Sequence, residues 1–463
     1  MTVPEVSPAR RWIDRGLAAL ARRVLGIFYR AVEVEGIDRL PRGRPLVVVA
    51  NHTNALIDGA LLAGWLPEMP RFLAKSTLWD VPPLVPLLRL AAVTPVYRRH
   101  EADPARNAET FARCHDVLAA GGTVALFPEG ASHVEPALLP LKTGAARIVL
   151  GAEAARGPLG LRVVPVGLAF DVRGRFRSRA LIRVGEPIDP LAAAGGGWRE
   201  QAPDAVRALT EAIERGLAEV TPNFDSWEQA RLVGRAAEVL AHGDPDLPLQ
   251  ETLGKGFDAR RAVLVGYREL ERRHPERVRA VAAEVAAYEA LLAAAGVRDR
   301  QVAARYPLPG VARWLARTLV ALAGWLPLAV VGTVLNLVPY LEVTAVSRAF
   351  GNLEDQRATF KVLPALALYP LTWALEAWAA ARLAAAAGGE QWALAAALAT
   401  LAAGPLTGFA ALAFHDRRRR LQAEAKAFLT LRTRRRLAAE LRRRREAVRS
   451  GVGELVELYR REA

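Results

Sequence analysis

Three long apolar segments, at 318–340, 362–387 and 392–414, constrain this chain more than any other feature. A helix needs about 20 apolar residues to cross the hydrocarbon of a bilayer, so each segment is long enough to span a membrane. The second segment contains the carboxylate of Glu376, and the third contains no charged residue. Buried helices of a soluble protein are the alternative, but the sequence HDRRRR directly after the third segment favours insertion. We therefore expect a membrane region over 306–415.

The distribution of positive charge predicts how this membrane region is oriented. The arginines after the third segment should be cytoplasmic, which places 388–391 outside and 348–361 inside. Both flanks of 318–340 then lie on one side, so this segment should not cross the membrane as a single straight helix. It contains residues at which helices break or turn, namely Gly324, Pro327, Gly332, Asn336 and Pro339. We predict a re-entrant or surface-lying hairpin at 318–340, followed by spans at 362–387 and 392–414.

The basic end of the chain admits several kinds of partner. The formal net charge is +15, and residues 416–463 contribute 16 Lys or Arg against 7 Asp or Glu. Nucleic acid, an anionic membrane surface and acidic ligands would all suit such a segment. Its arginines directly follow an apolar segment and lack aromatic interleaving for base stacking, and each gains about 1 kcal/mol from anionic lipid. We expect a basic cytoplasmic tail at 416–463 and no nucleic-acid partner.

The residues before the membrane region divide into three parts. Residues 1–30 carry apolar side chains at helical spacing among arginines, which indicates an amphipathic membrane-surface helix and does not resemble a cleavable signal peptide. Residues 31–197 alternate short β-branched runs with helical stretches, the pattern of an α/β domain with a mixed sheet flanked by helices. The runs lie at 32–34, 46–49, 123–127, 163–166 and 181–184. Residues 198–305 are charged, Ala-rich and strand-poor, which predicts a helical soluble region.

The single cysteine, Cys114, excludes a disulfide framework and a cysteine-based zinc site. It lies in a helical pattern, and no neighbouring residue would obviously lower its pKa. We interpret Cys114 as a packing residue and not as a nucleophile.

One cluster with a histidine and a carboxylate follows the apolar run 46–49. Its sequence is NHTNALID, from Asn51 to Asp58. A histidine at the carboxyl end of a strand, with a carboxylate early in the next helix, suits a general base and its orienting partner. Asn54 is a candidate N-cap, which would leave His52 in the loop and Asp58 in the first turns of the helix.

Three further clusters occur later in the α/β region. TPVYRR places Arg98 after an apolar stretch, where a guanidinium can hold phosphate oxygens, although solvated arginines are the simpler interpretation. FPEGASH places Glu129 and Gly130 in a sharp turn after a strand, with Lys142 nearby as a possible second cation. VPVGL contains Pro165 within an apolar strand, which predicts an edge strand or an irregular bend.

In this order and spacing the four clusters resemble the four motifs of the PlsC-like glycerolipid acyltransferases. NHTNALID is similar to the family's His–Asp motif, TPVYRR to its phosphate-binding arginine motif, FPEGASH to its FPEG turn and VPVGL to its proline motif. The resemblance covers roughly residues 30 to 190. PLKTGAARI and RSRALIRVGEPI are similar to a subgroup that includes glycerol-3-phosphate acyltransferases with C-terminal membrane segments.

The spacing in the first motif departs from the family's usual pattern. Five residues separate His52 from Asp58, where the usual motif has four. An additional residue in the loop would preserve the contact between the two side chains, whereas one in the helix would rotate the carboxylate by about 100°.

The resemblance implies an enzyme in phospholipid biosynthesis that transfers a fatty acyl group from acyl-CoA or acyl carrier protein. The acceptor would be a hydroxyl of glycerol 3-phosphate or a lysophospholipid. His52 would act as the base with Asp58 as its partner, and Arg98 and Lys142 would bind the acceptor's phosphate. Further substrate contacts would come from Asn54, Glu129, Gly130 and Pro165.

The resemblance implies no metal and no cofactor, membrane lipids as partners, and a location in the cytoplasmic membrane with the catalytic domain facing the cytoplasm. Acceptor, donor, chain length and oligomeric state stay open. The rival interpretation is a catalytically inactive membrane lipid-binding or scaffold protein with a PlsC-like domain.

Overall fold

The structure is a computed structural model that describes residues 7–97, 105–199, 201–241 and 252–462. The chain forms two compact units. The first comprises Met1–Asp225 together with Gly351–Val362, and the second comprises Ser226–Phe350 and Leu363–Ala463.

The first unit is built on a seven-stranded mixed sheet. Its strands are β1 (Tyr29–Glu35), β2 (Leu46–Ala50), β3 (Arg71–Lys75), β4 (Thr94–Val96), β5 (Thr123–Leu126), β6 (Arg162–Phe170) and β7 (Ser178–Val184). They lie in the order β1-β7-β6-β2-β5-β3-β4, and β6–β7 is the antiparallel pair among parallel ones. The predicted mixed sheet and its five predicted strand runs are confirmed. The short strands β3 and β4 were not predicted.

Of the two alternatives predicted for Pro165, the edge strand is wrong, since β6 lies between β7 and β2, and an irregular strand remains. In a strand, the amide nitrogen and carbonyl of one residue face the same neighbour. The carbonyl of Pro165 accepts a hydrogen bond from the Gly185 amide (2.8 Å), just beyond the end of β7 at Val184. The nitrogen of Pro165 therefore faces the residues just beyond β7, where the pairing shifts by one residue between Val166–Val184 and Val163–Ile188. Proline is tolerated at such an irregular position.

Helices cover both faces of the sheet. They are α1 (Pro8–Phe28), α2 (Ala55–Trp65), α3 (Val85–Leu90), α4 (Ala105–Ala119), α5 (Gly144–Arg156), α6 (Pro190–Ala194) and α7 (Pro203–Val220). One core cluster joins α1 and α2 to the sheet, and a second cluster joins α4, α5 and α7 to the other face. The α/β unit therefore extends past the expected boundary at 197. The charged residues of α7 concealed an apolar stripe, since Leu209, Ile213 and Leu217 recur every four residues and are buried.

Helix α1 agrees with the predicted amphipathic pattern. Leu25 and Phe28 are buried, and the Arg22 guanidinium donates to the Gly64 carbonyl on α2 (2.8 Å). On the opposite side Trp12 is 72% exposed. Attachment of this surface to a membrane stays a prediction.

The second unit is helical. Its helices are α8 (Trp227–Ala241), α9 (Leu253–Arg273), α10 (Pro275–Ala295), α11 (Asp299–Ala303), α12 (Leu308–Leu335), α13 (Leu337–Phe350), α14 (Thr359–Ala386), α15 (Ala393–Thr433) and α16 (Arg435–Glu462). The first residues of α14, up to Val362, belong to the first unit.

The residues predicted as a basic tail fold into helices, and their cytoplasmic location stays a prediction. Ala438, Leu441, Val448 and Val452 of α16 are buried in a cluster with side chains of α8 and α10. Arg445 is also buried, and its Nε lies 3.0 Å from the Asp299 carboxylate. The buried positions alternate in steps of three and four residues, a helical pattern that the surrounding arginines concealed.

Three helices are long and apolar enough to cross a membrane by length and composition: Leu308–Leu335, Thr359–Ala386 and Glu390–Thr433. The hairpin at 318–340 stays a prediction, and one continuous helix runs from 308 to 335 with Pro327 inside it. Proline is tolerated in such helices where neighbouring groups satisfy the freed carbonyl. The break comes at Asn336, between α12 and α13.

Side-chain contacts show how the chain continues after this break. The Asn336 amide donates to the Gly404 carbonyl of α15 (3.0 Å), and its oxygen accepts from the Trp373 indole of α14 (3.2 Å). Six residues later, Glu342 accepts a hydrogen bond from Thr372, the neighbour of Trp373 (3.3 Å). A straight helix would have advanced about 9 Å along α14 over those six residues. The chain therefore turns across α14 at Asn336.

Candidate active site

His52 and Asp58 meet at the carboxyl end of β2. The Nδ1 atom of His52 lies 3.0 Å from Oδ2 of Asp58, whose side chain is fully buried. The His52 ring stacks on the Phe127 ring, with centroids 4.1 Å apart and an angle of 13° between the planes. The His52 side chain is 18% exposed, and its Nε2 has no hydrogen-bond partner among the described residues. One ring nitrogen is thus held by a carboxylate, and the other is left for a ligand.

The five-residue spacing is accommodated where the loop enters α2. Ala55, the first residue of α2, has a φ of 42°, an uncommon conformation for a residue with a side chain. Asp58 consequently lies in the first turn of α2. Its Oδ2 accepts hydrogen bonds from the Thr53 amide (2.8 Å) and the Asn54 amide (2.7 Å) as well as facing His52. The carboxylate therefore organises the whole loop, and the expected His52–Asp58 contact forms.

Asn54 stabilises this loop through a buried hydrogen bond to Tyr29. It occupies the N-cap position of α2, but its side chain makes no capping hydrogen bond there. Instead its amide donates to the hydroxyl of Tyr29 (2.9 Å), which itself donates to the Arg173 carbonyl (3.1 Å). Burial, and secondarily the charge of Asp58, raise the pKa of Tyr29, so its hydroxyl remains a donor. Asn54 is also fully buried, so the predicted substrate contact has no exposed atom through which to act in this structure.

The turn 127–133 clamps the backbone of His52 from both sides. The His52 amide donates to Oε1 of Glu129 (2.7 Å), and the His133 amide donates to the His52 carbonyl (3.1 Å). The Glu129 carboxylate is buried; its Oε2 accepts from the Leu139 amide (2.7 Å) and lies 2.5 Å from Nε2 of His133. Glu129 therefore positions the candidate base. Sequence reasoning missed the partnership with His133, although the four-residue spacing in FPEGASH was a signal for it.

Gly130 and Lys142 meet at the surface of the same turn. Gly130 has a φ of 75°, which favours glycine, and a Cβ atom added there would lie 3.5 Å from Cγ of Lys142. The Lys142 amide donates to the Pro128 carbonyl (2.8 Å), which fixes the lysine backbone beside the turn. Both residues are exposed, so a cation is available at this edge of the sheet.

Arg98 lies outside the described residues, but the strand that leads to it is well fixed. Strand β4 ends at Val96, two residues earlier. Asn107 of α4 accepts from the Tyr97 amide (3.1 Å) and donates to the Tyr97 carbonyl (2.8 Å). Because β2, β5, β3 and β4 are parallel neighbours, their carboxyl ends share one edge of the sheet with His52.

The structure does not bring Pro165 to His52. Pro165 pairs with Val49, three residues before His52. Cβ atoms added at Gly185 and Gly216 would lie 2.9 Å and 3.1 Å from its ring, so the ring fills a close contact with α7. Its observed role is packing.

Cys114 is also a packing residue, as interpreted from the sequence, and burial raises the pKa of its thiol to about 12.

Comparison with known proteins gives matches over this unit. Residues 31–169 match the protein family described as Acyltransferase. Glycerol-3-phosphate O-acyltransferase 2 of Saccharomyces cerevisiae is 33% identical over 201 residues, which are 43% of this chain and 26% of the yeast protein. A chloroplastic 1-acyl-sn-glycerol-3-phosphate acyltransferase of Brassica napus is 30% identical over 142 residues, which are 30% of this chain and 38% of that protein.

The matched region thus spans about a quarter of the length of the yeast relative. Among solved structures, the 1-acyl-sn-glycerophosphate acyltransferase PlsC from Thermotoga maritima is 23% identical, with a TM-score of 0.35. The match covers 47% of this chain and 83% of that one.

Proposed function

We propose that this chain, which carries a domain of the acyltransferase family over residues 31–169, is a membrane-bound enzyme that acylates a glycerolipid precursor. The acceptor would be the hydroxyl of glycerol 3-phosphate or of a lysophospholipid, and the donor acyl-CoA or acyl carrier protein. The observation that carries the proposal is the His52–Asp58 contact, which leaves Nε2 of His52 without a hydrogen-bond partner among the described residues.

In the proposed reaction, Nε2 of His52 takes the proton from the acceptor hydroxyl. The acceptor oxygen then attacks the thioester carbonyl of the donor, and the thiolate leaves and receives the proton from His52. Asp58 holds Nδ1–H and stabilises the charged imidazole while the proton resides there. Because the acceptor's own oxygen attacks, the reaction proceeds without an acyl-enzyme and without a metal or cofactor.

The remaining residues would orient the two substrates. Glu129 fixes the backbone of His52 through its amide, so the base keeps its position without a contact to the acceptor. Lys142 supplies positive charge beside Gly130, and Arg98 is proposed as the principal phosphate ligand. Holding two reactants in the correct geometry can supply up to about 7–11 kcal/mol of the barrier reduction.

The direct test is an acyl-transfer assay on membranes containing the full chain. Glycerol 3-phosphate, dihydroxyacetone phosphate, lysophosphatidate and other lysophospholipids would be supplied in turn, each with acyl-CoA and with acyl carrier protein thioesters. We expect transfer to at least one phosphorylated acceptor. Absence of transfer with every pair would favour the inactive scaffold instead.

Arg98→Ala should raise KM for the phosphorylated acceptor and leave KM for the donor nearly unchanged. The reason is that a charge-assisted hydrogen bond to phosphate, about 1.5–3 kcal/mol, is lost from acceptor binding alone. That energy corresponds to roughly a 10- to 150-fold rise in the acceptor's KM. Initial-rate kinetics with each substrate varied in turn would measure it, and Arg113→Ala on the exposed face of α4 is the matched control. If KM rose equally for the acceptor and the donor, Arg98 would not be the phosphate ligand.

The proposal places the catalytic unit at the cytoplasmic face of the membrane. Segment Gly351–Val362 folds as part of the first unit, so it must lie on the same side as His52. With both flanks of α12 and α13 on that side, the pair would enter the bilayer and return, while α14 and α15 would cross it. The turn at Asn336 supports this arrangement.

Cysteine labelling would test the topology. Single cysteines at Ala312, Ala345 and Glu390, each in a Cys114→Ser background, would be treated with an impermeant maleimide in intact cells and in inverted vesicles. We expect positions 312 and 345 to react only in inverted vesicles and position 390 only in intact cells. Labelling of 312 and 345 from opposite sides would contradict the re-entrant arrangement.

A further inference from the structure

The segment Gly351–Val362, here called the docking segment, is separated in sequence from the α/β unit by more than a hundred residues but is built into its core. Ala358 is fully buried and Val362 is 7% exposed, and both belong to the cluster that contains Ile57 and Leu61 of α2. The docking segment therefore shares the core that also buries the helix carrying Asp58.

A second set of contacts fixes the docking segment to the loop after β6. The ammonium group of Lys361 donates to the Gly174 carbonyl (2.6 Å). A Cβ atom added at Gly174 would lie 2.9 Å from Cβ of Arg357, so the two backbones approach closely. These contacts to the core and to Gly174 hold the docking segment in place without any contact to the turn 127–133.

Asp355 extends from this segment to the turn that carries Glu129. Its Oδ2 accepts a hydrogen bond from the hydroxyl of Ser132. Asp355 is 8% exposed, and a buried carboxylate is costly unless a donor compensates it. Ser132 directly precedes His133, whose amide holds the His52 carbonyl, and follows Glu129, whose carboxylate holds the His52 amide.

We propose that Asp355 is a positioning residue for acyl transfer, because it holds the 129–133 turn, through Ser132, in the conformation that clamps the backbone of His52. The inference rests on the proposed function. Packing of the docking segment alone requires only its apolar residues, Ala358 and Val362. Asp355 adds a polar contact directed at the one loop that touches His52 on both sides.

The test is a double-mutant cycle on Asp355 and Ser132 in membranes that contain the whole chain described above. Asp355→Ala should lower kcat about 10-fold with little change in KM for either substrate, since the base is displaced while the binding groups remain. Ser132→Ala should cause a similar loss, and the double variant should be no slower than the single ones because the two residues act through one contact. Glu354→Ala, at the exposed neighbouring position, is the control and should retain wild-type kcat.

Two further measurements separate positioning from folding. Thermal unfolding of the purified variants should shift by only a few degrees, and Asp355→Asn, which keeps an acceptor for Ser132, should recover most of kcat. If Asp355→Ala kept the kcat of the wild type, the inference would be overturned. Additive losses of kcat in the double variant would overturn it as well. So would a loss of kcat that accompanied failure to fold in both Asp355→Ala and Asp355→Asn. If the wild-type chain transfers acyl groups and any of these results is found, only the role of Asp355 is contradicted and the proposed function stands. If the wild-type chain transfers none, both proposals fail.

Discussion

His52→Ala is expected to lower kcat for acyl transfer about 10²–10⁴-fold, the usual effect of removing a general base. At this edge of the sheet, the imidazole combines a ring nitrogen held by a buried carboxylate with a second nitrogen that has no hydrogen-bond partner among the described residues. The substitution removes a partly exposed ring, and the backbone hydrogen bonds of His52 to Glu129 and His133 do not depend on that ring. The variant should therefore fold and remain in the membrane.

The assay would compare His52→Ala with His274→Ala, a partly exposed histidine of the second unit. Turnover would be measured at saturating acceptor and donor, with membrane fractionation and thermal unfolding as checks on folding. We expect His274→Ala to match the wild type. If His52→Ala retained near-wild-type turnover in a folded membrane protein, another group would have to be the base.

Asp58→Asn should lower kcat by a comparable factor, about 10²–10⁴-fold, by analogy with the carboxylate of the Ser-His-Asp triad. The amide oxygen of asparagine can still accept hydrogen bonds from the Thr53 and Asn54 amides. It cannot supply the negative charge that stabilises a protonated His52. Its NH₂ group would also take the place of Oδ1, which is buried without a hydrogen-bond partner among the described residues.

Because the loop hydrogen bonds survive in part, the loss should appear in kcat more than in stability. Asp116→Asn, at an exposed carboxylate of α4, is the control for removing a charge. Kinetics and thermal unfolding of both variants would distinguish chemistry from folding. A harmless Asp58→Asn would mean that the His52–Asp58 contact does not take part in the reaction.

Local patterns were sufficient for the parts of the structure that depend on neighbours in sequence. The strand runs, helix α1 and the apolar helices follow from side-chain periodicity and segment length, which are properties of consecutive residues. The approach of His52 to Asp58 was predictable for the same reason, since a short loop joins β2 to α2. Its outcome depended on Ala55, the first residue of α2, whose positive φ shapes the chain where the loop enters the helix.

Charged side chains concealed the buried apolar faces of two helices from prediction. Helices α7 and α16 carry enough charged residues to suggest a separate helical soluble region and a basic tail, yet one face of each is buried. Arg445 is the clearest example, because its burial depends on the Asp299 carboxylate that lies beside it in the folded chain. Burial depends on what packs against a face, and that partner lies elsewhere in the chain.

The sequence by itself determined the three long apolar helices and the four motifs that resemble those of the acyltransferases, because hydrophobic length and motif spacing are properties of consecutive residues. Only the tertiary structure decided that Glu129 pairs with His133 to clamp the backbone of His52. It also decided that Asp355 reaches Ser132, although 223 residues separate them. Such contacts arise from chain topology and core packing, which no local pattern encodes.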